Sequence, residues 1–137
     1  MEQAFPYDLA PATQPNLGLI VLRADETLER DVPRIVPPDL HPLVSRVESG
    51  AAVTPETLRA MEGRLAGAAT LFPQGSAFDV IGYGCTSATA QIGAAAVAAQ
   101  IRKGAQARHV TEPVSSTIAA CHAMDLTSIA MLSPYVE

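Results

Sequence analysis

Residues 82–89 read Gly-Tyr-Gly-Cys-Thr-Ser-Ala-Thr and follow the apolar run Phe78–Ile81. A glycine-rich turn between a strand and a helix leaves backbone N–H groups free at the helix N-terminus, where negative charge is favoured. A cysteine in such a turn ionises more readily and can act as nucleophile or base near neutral pH. Cys85 is therefore the candidate catalytic group. Thr86 and Ser87 add hydroxyl donors able to grip a carboxylate. The plainer alternative is that Cys85 packs as a small hydrophobe while Thr86 or Ser87 caps the helix.

Several other chemistries lack their signatures. The turn is not a G-x-S-x-G elbow and no histidine–acid relay accompanies it, which argues against a protease or esterase. The phosphate loop pattern G-x-x-x-x-G-K-[ST] is absent as well. Cys121, within Ser-Thr-Ile-Ala-Ala-Cys-His-Ala-Met, sits among alanines in a helical stretch and reads as structural. His122 beside it is turned by about a hundred degrees around the helix. His41 and His109 have no partners at ligand spacing, so no metal site is expected.

The elements that must position the cysteine turn follow from the apolar pattern. Residues 1–16, with three of the eleven prolines, read as an extended lead-in. Leu17–Arg23 is a continuous apolar run of the kind buried in a parallel sheet. A short helix over Ala24–Val32 is limited by Pro33, Pro37 and Pro38. His41–Val47 is a second strand. Thr54-Pro55-Glu56 opens a helix with a capping hydroxyl, a proline in the first turn and an acid beside it. Its core stripe is Leu58, Met61, Leu65, Ala68 and Phe72. Phe78–Tyr83 is the third strand. One alanine-rich helix is expected from about Ala88 to Lys103, closed by Gly104. A fourth strand over Arg108–Pro113, a helix over Ser115–Met124 and a fifth strand over Ser128–Leu132 complete the pattern. Alternation of this kind predicts an α/β fold: a parallel sheet of about four or five strands, covered by helices on both faces. Ligands bind such sheets beyond the carboxyl ends of the strands. Three loops fall there: Ala24-Asp25-Glu26, Gly84–Ser87 and Ser133-Pro134-Tyr135.

The chain of 137 residues is long enough for one ordinary domain, 48% hydrophobic and 17% charged. Its net charge of −5, with no basic cluster, gives a nucleic acid no footprint. The start carries prolines and acids rather than a signal peptide. Its longest weakly polar stretch, 92–101, is too short to span a bilayer, so no membrane partner is expected. Two cysteines without a secretory signal read as reduced thiols of a cytoplasmic protein.

Taken together, Gly18–Val21 with Ala24–Pro33, then Asp79–Thr89, then Ile129–Glu137, resemble the aspartate/glutamate racemase superfamily. The branch they are most similar to holds the maleate cis-trans isomerases and arylmalonate decarboxylases. The resemblance runs from Leu17 onward and implies cofactor-independent chemistry beside the carboxylate of a small acid. It implies two pseudo-symmetric α/β lobes, each giving one cysteine to the cleft between them. Residues 17–137 then correspond to the first, N-terminal lobe, with the second absent. Cys85 matches the first-lobe cysteine, which removes an α-proton in racemases or adds to the double bond in maleate isomerases. Thr86 and Ser87 match residues that hold the substrate carboxylate, and Tyr135 matches a tyrosine bonded to the same group. Asp25 stands where maleate isomerases carry an asparagine. An ionised aspartate repels a carboxylate, so a substrate bearing a hydroxyl, amide or ammonium group near Asp25 is expected instead. Asp25 equally suits a helix N-cap.

Two functional classes follow. The first is an isomerase, racemase or decarboxylase-type enzyme, weakly active as this lobe alone because Cys121 lies in the wrong element to replace the second cysteine. The second is a non-catalytic lobe that binds a carboxylate or a partner chain. Apolar surface left by a missing lobe makes self-association or a homo-oligomer the expected state. A response-regulator-like switch fits poorly, because Asp25-Glu26 gives half its acidic cluster and no lysine follows the last strand.

Overall fold

A computed structural model describes residue 8 and residues 15–132 of the chain. The sheet has four strands: β1 Leu17–Leu22, β2 Leu43–Val47, β3 Ala77–Tyr83 and β4 Gln106–Thr111. They are ordered β2-β1-β3-β4 and every neighbouring pair is parallel. Between them run α1 Leu28–Asp31 with a 3₁₀ turn Val32–Arg34, α2 Pro55–Ala60, α3 Glu62–Ala69, α4 Thr86–Ile92 and α5 Ala94–Gly104, and α6 Pro113–Ala123 follows β4. The α/β fold and the parallel sheet expected from the sequence are both present.

One sheet face carries the core. Ile20, Val47, Ile81, Tyr83 and Cys85 meet Met61, Leu65, Ala68, Ala69 and Phe72 from the α2–α3 stretch, and Ala88, Val97 and Ile101 from α4 and α5. The predicted stripe through residues 58–72 is thus core. Thr54 caps α2 through a reciprocal pair: its hydroxyl accepts from the Thr57 N–H, and its own N–H donates to Thr57 Oγ1. Met61 breaks the expected single helix into α2 and α3.

Four expectations change. The alanine-rich helix starts earlier, at Thr86, and is broken by Gly93 at φ 93°, a conformation that an L side chain resists. Alanine continuity hid that break. The helix expected from Ser115 begins at Pro113, because the Glu112 carboxylate accepts from the Val114 and Ser115 N–H groups. The fifth strand over 128–132 does not form. The chain leaves α6 through Asp125 at φ 55°, and the Leu126 N–H donates back to the Cys121 carbonyl. The segment stays beside α6, unpaired with β4, and Ile129, Met131 and Leu132 are exposed. Coverage of the second sheet face is partial. Arg46 ties α1 to it through Glu29 and the carbonyls of Leu22, Arg23 and Asp25, yet Leu17, Leu19, Val44 and Val80 keep partial exposure. Of the lead-in, only Asp8, Pro15 and Asn16 fall among the described residues.

Candidate functional site

The strand order reverses direction at β1: β2 lies on one side of it and β3 on the other. In open parallel sheets that reversal opens a crevice at the carboxyl ends of the two diverging strands. Here those ends are the loop from Arg23 to Thr27 and the turn at Gly84–Cys85. The Gly84 N–H donates to the Ile20 carbonyl at 2.8 Å, which fastens the cysteine turn to the end of β1. Leu28 of α1 then lies over Gly84 so closely that a Cβ there would stand 2.5 Å from Leu28 Cδ1. Absence of a side chain at position 84 lets the two loops meet.

Cys85 is the N-cap of α4, with extended backbone, and is only 5% exposed. Its Sγ accepts the Ala88 N–H at 3.4 Å and lies 3.7 Å from Ser87 Oγ. The Cys85 carbonyl accepts from the Thr89 N–H at 3.2 Å and from Thr89 Oγ1 at 2.7 Å. Those four contacts lock the turn. The sulfur, rather than Thr86 or Ser87, caps the helix. Among the described residues the Thr86 and Ser87 N–H groups have no acceptor. Thr86 is exposed and Ser87 half-buried, so their donors stand at the surface of the turn.

Asp25 heads α1. Its Oδ1 accepts from the Thr27 N–H at 3.0 Å and the Leu28 N–H at 2.8 Å. The N-cap of α1 is Thr27, without a side-chain cap bond, so Asp25 is not the N-cap itself but stands two residues ahead of it, half-buried beside the crevice. The structure therefore brings Asp25, Cys85, Thr86 and Ser87 to the same end of the sheet. Tyr135 lies outside the described residues.

Three groups at this end went unmarked in the sequence reading. Tyr83, two residues before Cys85 and on the same face of the extended backbone, is 1% exposed, and its hydroxyl has no hydrogen-bond partner. Burial raises the phenol's pKa above its ordinary value, and the charge of Cys85 pushes it further the same way. Period-two alternation from Ile81 would have revealed this placement. Glu112, at the end of β4, is a buried carboxylate spent on capping α6; the Thr-Glu-Pro triplet was its signal. Arg23 and Arg64 both face Glu48, at 4.0 and 3.9 Å, beside a cavity of about 570 Å³ at the ends of β1 and β2. No local pattern joins residues so far apart in sequence.

Cys121 stands on α6, half-buried among Thr117, Ile118 and His122 and the segment that follows them. Among the described residues no group of three or more His, Cys, Asp or Glu side chains is arranged to hold a metal ion, and no helix is long and apolar enough to cross a membrane.

No family model and no curated sequence matches the chain. Its fold is shared with a solved structure, the maleate isomerase Iso from Pseudomonas putida, at a TM-score of 0.64 and 23% identity. The match covers 81% of this chain and 50% of the isomerase, so the chain spans about half of that protein's length.

Proposed function

We propose that this chain supplies the thiol side of a cofactor-independent isomerase- or racemase-type site for a small carboxylate. Cys85 is the base or nucleophile. Thr86 and Ser87 present N–H and hydroxyl donors to the carboxylate, and Tyr135 adds a third. Removing a proton α to a carboxylate builds negative charge on its oxygens, so donors aimed there lower the barrier. Asp25 uses Oδ1 to accept the Thr27 and Leu28 N–H groups and keeps Oδ2 for a hydroxyl, amide or ammonium group of the substrate. Its charge disfavours maleate itself. In this reading the group on the substrate's opposite face belongs to a second lobe, since Cys121 sits on α6.

One observation carries the reading: Cys85 lies at the reversal point of the sheet, where its turn is fastened to β1 and Gly84 beside it meets Leu28 of the loop and helix that follow β1. Likeness of fold to a maleate isomerase supports the isomerase class. The test is competitive alkylation with iodoacetamide at neutral pH. Cys121 is the more exposed thiol, so access alone predicts that it reacts first. An activated Cys85 reverses that order and is protected by small carboxylates. Labelling of Cys121 first, with Cys85 slow and unprotected, defeats the proposal.

A second reading, a non-catalytic lobe that binds a partner or a second copy, is favoured by one observation. No residue of α6 is buried, and Ile118, Ile129, Met131 and Leu132 are exposed on or just after it. Light scattering on a dilution series tests its second-copy form, which a chain that stays monomeric at every concentration defeats.

A further inference from the structure

We infer that Tyr83 is a positioning residue for Cys85: its buried phenol donates to Sγ when the sulfur is a thiolate and holds it toward the crevice. The inference rests on the reading of Cys85 as a reactive thiol. Tyr83 is the last residue of β3, and strand alternation puts its side chain on the face shared by Ile81 and Cys85, all three within one core cluster. The ring is 1% exposed, so water cannot readily serve its hydroxyl. Among the described residues no nitrogen, oxygen or sulfur completes a hydrogen bond to Oη in the resting arrangement. A buried hydroxyl without a partner is unfavourable, and phenylalanine would fill the same space without that penalty.

What distinguishes the hydroxyl is its neighbour. Among the described residues Cys85 is the titratable group whose charge acts on the phenol, and its effect, added to that of burial, keeps the phenol protonated. A protonated phenol beside a sulfur of variable charge is a donor waiting for its acceptor. The Sγ already accepts the Ala88 N–H and lies near Ser87 Oγ, so Tyr83 is the third donor around it. Hydrogen bonds at such sites often tighten only when charge develops.

The test titrates Cys85 directly. Thiolate absorbance at 240 nm is followed against pH in a Cys121→Ser background, with Cys85→Ser as the blank, and compared with Tyr83→Phe. A hydrogen bond to a charged acceptor predicts that Tyr83→Phe raises the Cys85 midpoint by about one pH unit, a roughly tenfold loss of thiolate below it. An unchanged or lowered midpoint overturns the inference. Incorporation of fluorotyrosine, a stronger donor, is the second arm should Tyr83→Phe fold poorly: a lowered midpoint supports the role and an unmoved one refutes it. Because the titration needs no turnover, lack of activity on small carboxylates counts against the proposed function alone, while a midpoint indifferent to position 83 counts against Tyr83 alone.

Discussion

A sulfur is an unusual cap for a helix, and replacing it separates what Cys85 does for the fold from the chemistry proposed for it. Serine is among the preferred N-cap residues. In Cys85→Ser the hydroxyl inherits the Ala88 N–H, now 3.4 Å from Sγ, and can donate to Ser87 Oγ, now 3.7 Å away. Its polar atom is satisfied on both sides, which offsets the cost of putting a hydroxyl where the sulfur is 5% exposed. The serine variant should stay within about 1 kcal/mol of the parent. Cys85→Ala loses the cap, about 1 kcal/mol, and leaves a small void beside Ile20, Tyr83 and Ala88, about another 1 kcal/mol. At about 3 °C per kcal/mol for a domain of this size, the alanine variant should melt about 6 °C below the parent. Thermal unfolding followed by far-ultraviolet circular dichroism gives both numbers, and iodoacetamide labelling should show position 85 silent in both variants. An alanine variant as stable as the parent, or a serine variant less stable than alanine, would refute the capping argument.

Two further outcomes follow from the packing and titration. Gly104 closes α5 against α3, where a Cβ would lie 2.2 Å from the Ala66 carbonyl oxygen and 2.8 Å from Ala69 Cβ. Backbone cannot step aside as a side-chain tip can, so Gly104→Ala should cost at least about 2 kcal/mol in urea unfolding; a loss under about 0.5 kcal/mol contradicts the close helix contact. The buried Tyr83 phenol has its pKa raised above the ordinary 10.0. Raised in the folded state, it leaves stability intact below about pH 10 and removes it as pH climbs further. Absorbance at 295 nm should therefore show one tyrosine ionising only together with unfolding, and its early ionisation in a folded chain contradicts the burial.

How far the residues disclosed the fold depended on whether the cause was local. Leu17–Leu22 and Ala77–Tyr83 announced themselves as apolar runs, and the Thr54-Pro55 start needed only its own first turn. Gly93 escaped notice because alanines on both sides kept the helical pattern continuous, and only the backbone angle marks the break. Ser128–Leu132 has a strand's composition, but a strand exists only with a ladder partner, and the turn at Asp125 holds the segment beside α6. The site divides in the same way. Cys85 was legible from its turn and Asp25 from its place ahead of α1. The meeting of their loops depends on strand order, Gly84 and Leu28, which no single stretch encodes.

The cap itself bears on why a cysteine stands at position 85. Three demands converge there: fill a corner of the core, receive the Ala88 N–H and end β3 in extended backbone. Serine meets the second better than cysteine, and alanine or valine would fill the corner without a polar atom. Cysteine is the best choice for neither task alone. Beside it, a tyrosine is buried with an unsatisfied hydroxyl where phenylalanine would pack as well. Two positions separated only by Gly84 thus each accept a locally inferior residue, and the two inferior choices are a thiol and a phenol on one face of one strand end. Local rules tend to be broken where chemistry needs them broken. Tyr83→Phe with Cys85→Ser should accordingly be at least as stable as the parent and inert toward alkylation at position 85. A double variant that instead unfolds more readily than either single change would mean that the pair serves the core rather than the crevice.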